Sequence, residues 1–110
     1  MPVEVKPGVS IRGLRPETLF AIERVNEVFR DMGYPVTTIT SGTDGSHSNG
    51  SLHYAGCAVD FRIRHIEVEK LEPIRAEISR RLGAEFDVVL EGGAQPHYHV
   101  EFQPKKQVEG

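Results

Sequence analysis

Three side chains of this sequence, His53, Asp60 and His99, have the types and the spacing to hold a zinc ion. His53 and Asp60 bracket Tyr54-Ala55-Gly56-Cys57-Ala58-Val59, the arrangement that results when a loop donates one metal ligand and the strand after it donates the next. A second histidine-bearing segment, Pro96-His97-Tyr98-His99-Val100-Glu101-Phe102, offers the third. Catalytic zinc takes three protein ligands and keeps a fourth position for water. With 5 histidines in 110 residues, spacing alone leaves a second reading equally open, in which His53 and His99 are surface residues and Asp60 is a capped or solvated carboxylate.

The bulk properties narrow the chemistry. A chain of 110 residues makes one domain with its own core, and we take 1–110 as that domain. The net charge of −3 and the scattered Lys and Arg give no basic stripe to follow a phosphate backbone, so nucleic acid is not an expected partner. Cys57 is the 1 cysteine; a disulfide within the chain and a cysteine zinc knuckle are both excluded, and a metal site must use His and carboxylates. Cys57 itself, between small residues and with no cation placed to activate it, reads as a buried filler. The start, Met1-Pro2-Val3-Glu4-Val5-Lys6-Pro7, lacks the apolar core of a signal peptide, and no run has membrane-spanning length. Lys105 and Lys106 are too few for a polybasic anchor. The expectation is a monomer that stays in the cytoplasm as synthesised and makes no membrane contact.

The elements that must position these residues follow from periodicity. Residues 1–14, with Pro7, Gly8 and Gly13, read as an extended lead-in with little regular structure. Pro16 suits a first helical position, and Leu19, Ile22, Val25, Phe29 and Met32 recur at helical spacing until Gly33. The β-branched run at 36–40 predicts a strand closed by Ser41-Gly42. Residues 42–51 read as a long loop, the usual place for function in a small domain. Over 58–63, Val59, Phe61 and Ile63 alternate with Ala58, Asp60 and Arg62, predicting a half-buried strand with Asp60 on its polar face. Leu71, Ile74, Ile78 and Leu82 predict a second helix starting near Glu69, with Pro73 in its first turn, and ending at Gly83. Phe86, Val88 and Leu90 alternate before Gly92-Gly93. In the last strand Tyr98, Val100 and Phe102 take one face while His97, His99 and Glu101 take the other. A flexible tail is expected over 103–110.

If the two polar strand faces pair, Asp60 and His99 converge, and Gly56 helps the loop bring His53 to them. Thr40-Ser41-Gly42, Ser51-x-His53-x-x-Gly56-x-Ala58-x-Asp60 and His97-x-His99 together resemble the zinc D,D-carboxypeptidases and phage L-alanyl-D-glutamate endolysins of the Hedgehog/DD-peptidase fold. The resemblance spans roughly 37–102. It implies an α+β fold, a small antiparallel sheet with two main helices on one face. It also implies Zn²⁺ on His53, Asp60 and His99, and hydrolysis of a peptide bond involving D-amino acids in the peptidoglycan stem peptide.

Two departures from that pattern leave roles open. Many members carry an acidic general base three residues before the last ligand, where this chain has Pro96. His97 and Glu91 then compete for the role, each with a non-catalytic alternative: His97 as a polar-face residue orienting a neighbour, Glu91 as solvated surface. An arginine often follows Ser-Gly to hold the substrate carboxylate, whereas Thr43-Asp44-Gly45 follow here. Arg62 could substitute, although an ion pair with Glu101 across the strands is the alternative use. Ser41 belongs to the expected substrate site, as does His47 if its loop closes over the cleft rather than facing solvent. His65 reads as a surface residue. The expected function is a zinc peptidoglycan peptidase, released to the wall by phage lysis or virion delivery. The competing class is an inactive peptide- or wall-binding module, or a virion structural component, of the same fold.

Overall fold

The computed structural model of the protein describes residues 2–43 and 56–103. Seven elements follow in order: β1 (Val3–Val5), α1 (Pro16–Asp31), β2 (Thr37–Ser41), β3 (Ala58–Arg62), α2 (Val68–Leu82), β4 (Phe86–Glu91) and β5 (His97–Phe102). The strands form one 5-stranded sheet in the order β1-β2-β3-β5-β4. The class is α+β. No helix among the described residues is long and apolar enough to cross a membrane.

The sheet is mixed, which corrects the antiparallel expectation. Val3, Glu4 and Val5 pair in parallel with Thr37, Thr38 and Ile39, so the supposed lead-in is an edge strand joined to β2 through the α1 crossover. A strand of 3 residues is too short for periodicity to reveal. The remaining pairings are antiparallel. β2 lies one residue later than the predicted 36–40, and β3 stops at Arg62, with Ile63 still buried beyond its end.

α1 begins at Pro16, whose missing N–H and fixed φ suit the first turn. Its buried stripe is Ala21, Ile22, Val25, Val28 and Phe29. Leu19 and Met32 were expected on that stripe and are exposed instead, at 48% and 42%. Leu19 lies about 120° round the helix from Val25, and Met32 is already the C-cap residue. Thr18 and Asn26, polar and buried, tie α1 to the sheet: Thr18 Oγ1 donates to the Gly56 carbonyl at 2.7 Å, and Thr37 Oγ1 donates to Asn26 Oδ1 at 2.8 Å.

α2 departs from expectation at Pro73, which stands in the second turn because the helix starts at Val68. Proline there forfeits one intrahelical bond. Burial of Ile74, Ile78 and Leu82 offsets that loss, and Tyr98 Oη donates to the Leu71 carbonyl at 2.6 Å, fixing the preceding turn to the sheet. Both helices bury their stripes against one sheet face, where Ile39, Val59, Phe61, Val88, Tyr98 and Val100 meet them in a single core. Gln103, the expected start of the tail, is held by its backbone N–H to the Glu85 carbonyl at 2.6 Å.

Candidate metal centre

The side chains opposite the core form rows across β3, β5 and β4, and the register places each one. Asp60, His99 and Val89 share a row; Arg62, His97 and Glu91 share the next; Ala58, Glu101 and Asp87 share the one on the other side. Alternation along paired strands puts all nine on the face away from the helices. β3 was expected to be half-buried, yet Ala58 through Phe61 are all buried, because neighbours flank the strand on both sides. Asp60 is therefore on the polar face and only 9% exposed.

His99 is the centre of the cluster. Its Nδ1 lies 2.8 Å from Asp60 Oδ1 and its Nε2 lies 2.8 Å from Glu101 Oε1. Carboxylates only accept, so with no metal both ring nitrogens donate. The Asp60 hydrogen bond, helped by Glu101 and opposed by burial, lifts the imidazolium pKa from 6.5 to about 9.

His97 stands in the adjoining row. Gln95 O can only accept, so His97 Nδ1 donates to it at 3.1 Å. Nε2 then faces the carboxylates, 2.9 Å from Glu91 Oε1 and 3.6 Å from Asp60 Oδ2. The register alone sets Glu91 opposite His97.

The sequence matches no protein-family model, and no curated protein matches it at a significant level.

Asp60 and His99 fit two positions of one metal sphere. Donors on a tetrahedral zinc stand about 3.4 Å apart when the bonds are the usual ~2.0 to 2.1 Å, and the 2.8 Å between Nδ1 and Oδ1 needs only a small opening. Glu101 strengthens the fit. Histidines that bind metal through one nitrogen generally donate from the other to a carboxylate or carbonyl, which fixes tautomer and ring orientation. Glu101 is so placed on Nε2, leaving Nδ1 turned towards Asp60. His53, the third expected ligand, and His47 lie outside the described residues. Among the described residues no group of three His, Cys, Asp or Glu side chains is arranged to hold a metal ion.

The expected Arg62–Glu101 ion pair is not formed. Antiparallel register sets Arg62 opposite His97 and Glu101 opposite Ala58, two rows apart. Arg62 instead lines a cavity of about 490 Å³ with Ser41, Asp60 and His97. Lys6, Thr40, Arg64 and Pro96 also border it. Ser41 reaches it from the point where the β2–β3 register shifts.

Gly56 explains one motif position. Its φ is +75°, and a Cβ there would stand 2.2 Å from the Gly13 carbonyl oxygen. Only glycine permits that approach, which lets the Gly56 carbonyl accept from both Arg15 N and Thr18 Oγ1 at the start of α1. Cys57 is partly rather than fully buried. His65 is exposed, as expected, with its ring edge-on to Tyr34 at 5.4 Å and 5.9 Å from that of Phe29. Burial, then Arg62 and Arg64, lower its pKa.

Sequence reasoning placed Glu101 on the polar face but gave it no role beside His99, and it passed over Lys6 and Arg64. For Glu101 a signal was available, since a carboxylate two residues from a ligand histidine shares its strand face. Nothing local marks Lys6, which reaches the cavity only because β1 joins the sheet.

Proposed function

We propose that the chain is a zinc peptidase cutting a peptide bond that involves D-amino acids, in the stem or cross-link of peptidoglycan. The observation that carries this reading is the pairing of Asp60 with His99 across β3 and β5, with His97 in the next row along the cleft. Asp60 and His99 would hold the ion with His53, which the Ser-x-His-x-x-Gly-x-Ala-x-Asp motif supplies. Bound zinc would polarise the scissile carbonyl and acidify its water.

The chain's own groups do the rest. The His97–Glu91 pair takes the proton of the attacking water and returns it to the leaving amine, so that one water is consumed and a carboxylate and an amine are released. Glu91, whose Oε1 lies 2.9 Å from His97 Nε2, keeps the ring turned towards the cleft. Glu101 holds His99 in the metal-binding tautomer. Arg62, bordering the same cavity, receives a substrate carboxylate.

A second reading, a peptide- or wall-binding module or a virion component, draws on Pro96, which borders the cavity where an acidic base would be expected. Metal analysis and a muropeptide cleavage assay decide between them. The parent should carry one zinc and cleave. His97→Ala should keep zinc affinity within about tenfold and lose cleavage by ~10²- to 10⁴-fold. A zinc-loaded parent that binds a stem peptide without cutting it would establish the module.

A further inference from the structure

Two glycines of the motifs, Gly42 and Gly56, bracket the part of the sequence that carries His53, and one stretch of backbone explains both. A Cβ on Gly42 would stand 2.2 Å from the Ser10 carbonyl oxygen, and a Cβ on Gly56 would stand 2.2 Å from that of Gly13. Residues 10–15 therefore lie against both positions, closer than any side chain allows. Hydrogen bonds join the same stretch to each end. Thr43 N–H donates to the Ser10 carbonyl at 2.8 Å, and Thr43 Oγ1 donates to that of Arg12 at 2.8 Å. At the other end the Gly56 carbonyl accepts from Arg15 N–H at 3.0 Å and from Thr18 Oγ1 at 2.7 Å. Arg12 and Gly13, consecutive residues whose Cα atoms are about 3.8 Å apart, thus meet opposite ends of one segment.

Residues 10–15 belong to no helix or strand, yet they are well anchored. Val9 and Leu14 pack against the core, Lys6 N–H donates to the Ile39 carbonyl at 2.9 Å, and Arg12 N–H donates to Ser10 Oγ at 3.2 Å. The pairing of β2 with β3 reaches only as far as Ser41 and Asp60. Beyond the sheet, the chain is held at Thr43 and Gly56 by residues 10–15 and the first turn of α1. His53 falls between those two points in sequence.

We propose that residues 10–15 are a strap fixing both ends of the segment that carries His53, and that Thr43 and Thr18 are positioning residues for metal binding through it. Bringing the ends of a chain segment together costs closure entropy. Where the strap has already brought them together, ligand binding does not have to do so, and affinity rises accordingly. The consequence for zinc rests on the metal reading proposed above. The strap itself rests on the contacts of Thr43 and Gly56 alone.

The test replaces one anchoring hydroxyl at a time by a methyl group, on the full chain. Thr43→Val and Thr18→Val should each weaken zinc binding, read by competition with a chelator, by roughly 2- to 10-fold, the worth of one hydrogen bond. Thr43→Ser, which keeps the hydroxyl, should bind zinc as the parent does. In a His53→Ala background neither valine should weaken zinc further, because the strap acts through that residue. Amide hydrogen exchange reads the strap without metal: Thr43→Val should speed exchange at Arg15, and Thr18→Val at Thr43, while the amides of β3 and β5 keep their rates. Equal losses of zinc affinity with and without His53 would overturn the positioning role. Exchange that changes only beside each substitution would overturn the strap. A parent that takes up no zinc removes the metal reading, and the exchange rates still decide whether one strap holds both ends.

Discussion

The two faces of the sheet are built from alternate residues of the same strands and do opposite work. On the helix side, Val59, Phe61, Tyr98 and Val100 are at most 1% exposed and meet the apolar stripes of α1 and α2. On the open side, the intervening residues are Asp60, Arg62, His97, His99 and Glu101. The helix side leaves no charge of its own to satisfy, whereas the open side concentrates polar groups, among which Asp60 and Glu101 hold His99 and Glu91 holds His97. This division implies that substitutions should separate: those on one face should lower stability, those on the other should change chemistry at little cost to the fold.

The strongest attack on that division is at Tyr98, which lies directly between His97 and His99 in sequence and on the opposite face. It is fully buried, and burial raises the pKa of its hydroxyl, which donates to Leu71. Tyr98→Ala should destabilise the chain by ~3 to 5 kcal/mol. His97→Ala should shift the denaturation midpoint little. Comparable losses of stability from the two, measured by urea unfolding, would mean that the faces are not independent.

A smaller effect is expected at Glu101, which sharpens the comparison because it acts on the site without being a ligand. Glu101→Gln leaves a side chain that can still accept from His99 Nε2 but no longer carries charge. Zinc affinity should fall by roughly 10- to 100-fold, the range for such supporting groups, with urea stability of the zinc-free chain changed far less than by Tyr98→Ala. Unchanged zinc affinity, read by competition with a chelator, would remove Glu101 from the site.

A further effect is a pH dependence confined to the open face. In the metal-free chain the folded pKa of His99 is raised from 6.5 to about 9, chiefly by Asp60. Its contribution to stability is therefore full below the unfolded value near 6.5 and is lost as pH rises through about 9. Thermal unfolding with chelator present should show this decline, and Asp60→Asn should flatten it. A metal-free parent whose stability is level between those values would contradict the pairing.

Much of this arrangement is written in local pattern. The alternation in β3 and β5, the stripe of α1 and the stops at Gly33 and Gly83 need only neighbours in sequence, because side-chain direction within a strand or helix is set by its own backbone geometry. The same rule placed His97 and His99 on one face and Tyr98 on the other. Local pattern failed where a neighbour from elsewhere in the chain decided the outcome. Val3–Val5 become a strand only because Thr37–Ile39 offer an open edge, and Pro73 sits in a second turn only because the core holds α2 on both sides of it.

For the candidate site the division is similar. Residue types and spacing singled out Asp60 and His99, because each alternates with apolar neighbours on its strand and so stands on the polar face. Tertiary structure decided the pairings, since a shift of register by four residues would have set Arg62 against Glu101 instead of His97. It also decided that Glu91 faces His97, that Glu101 holds the far nitrogen of His99, and that Lys6 joins Arg62 and Arg64 around one cavity. Each of these depends on which strands pair and in what register, a choice made by burial of the whole core rather than by any one segment.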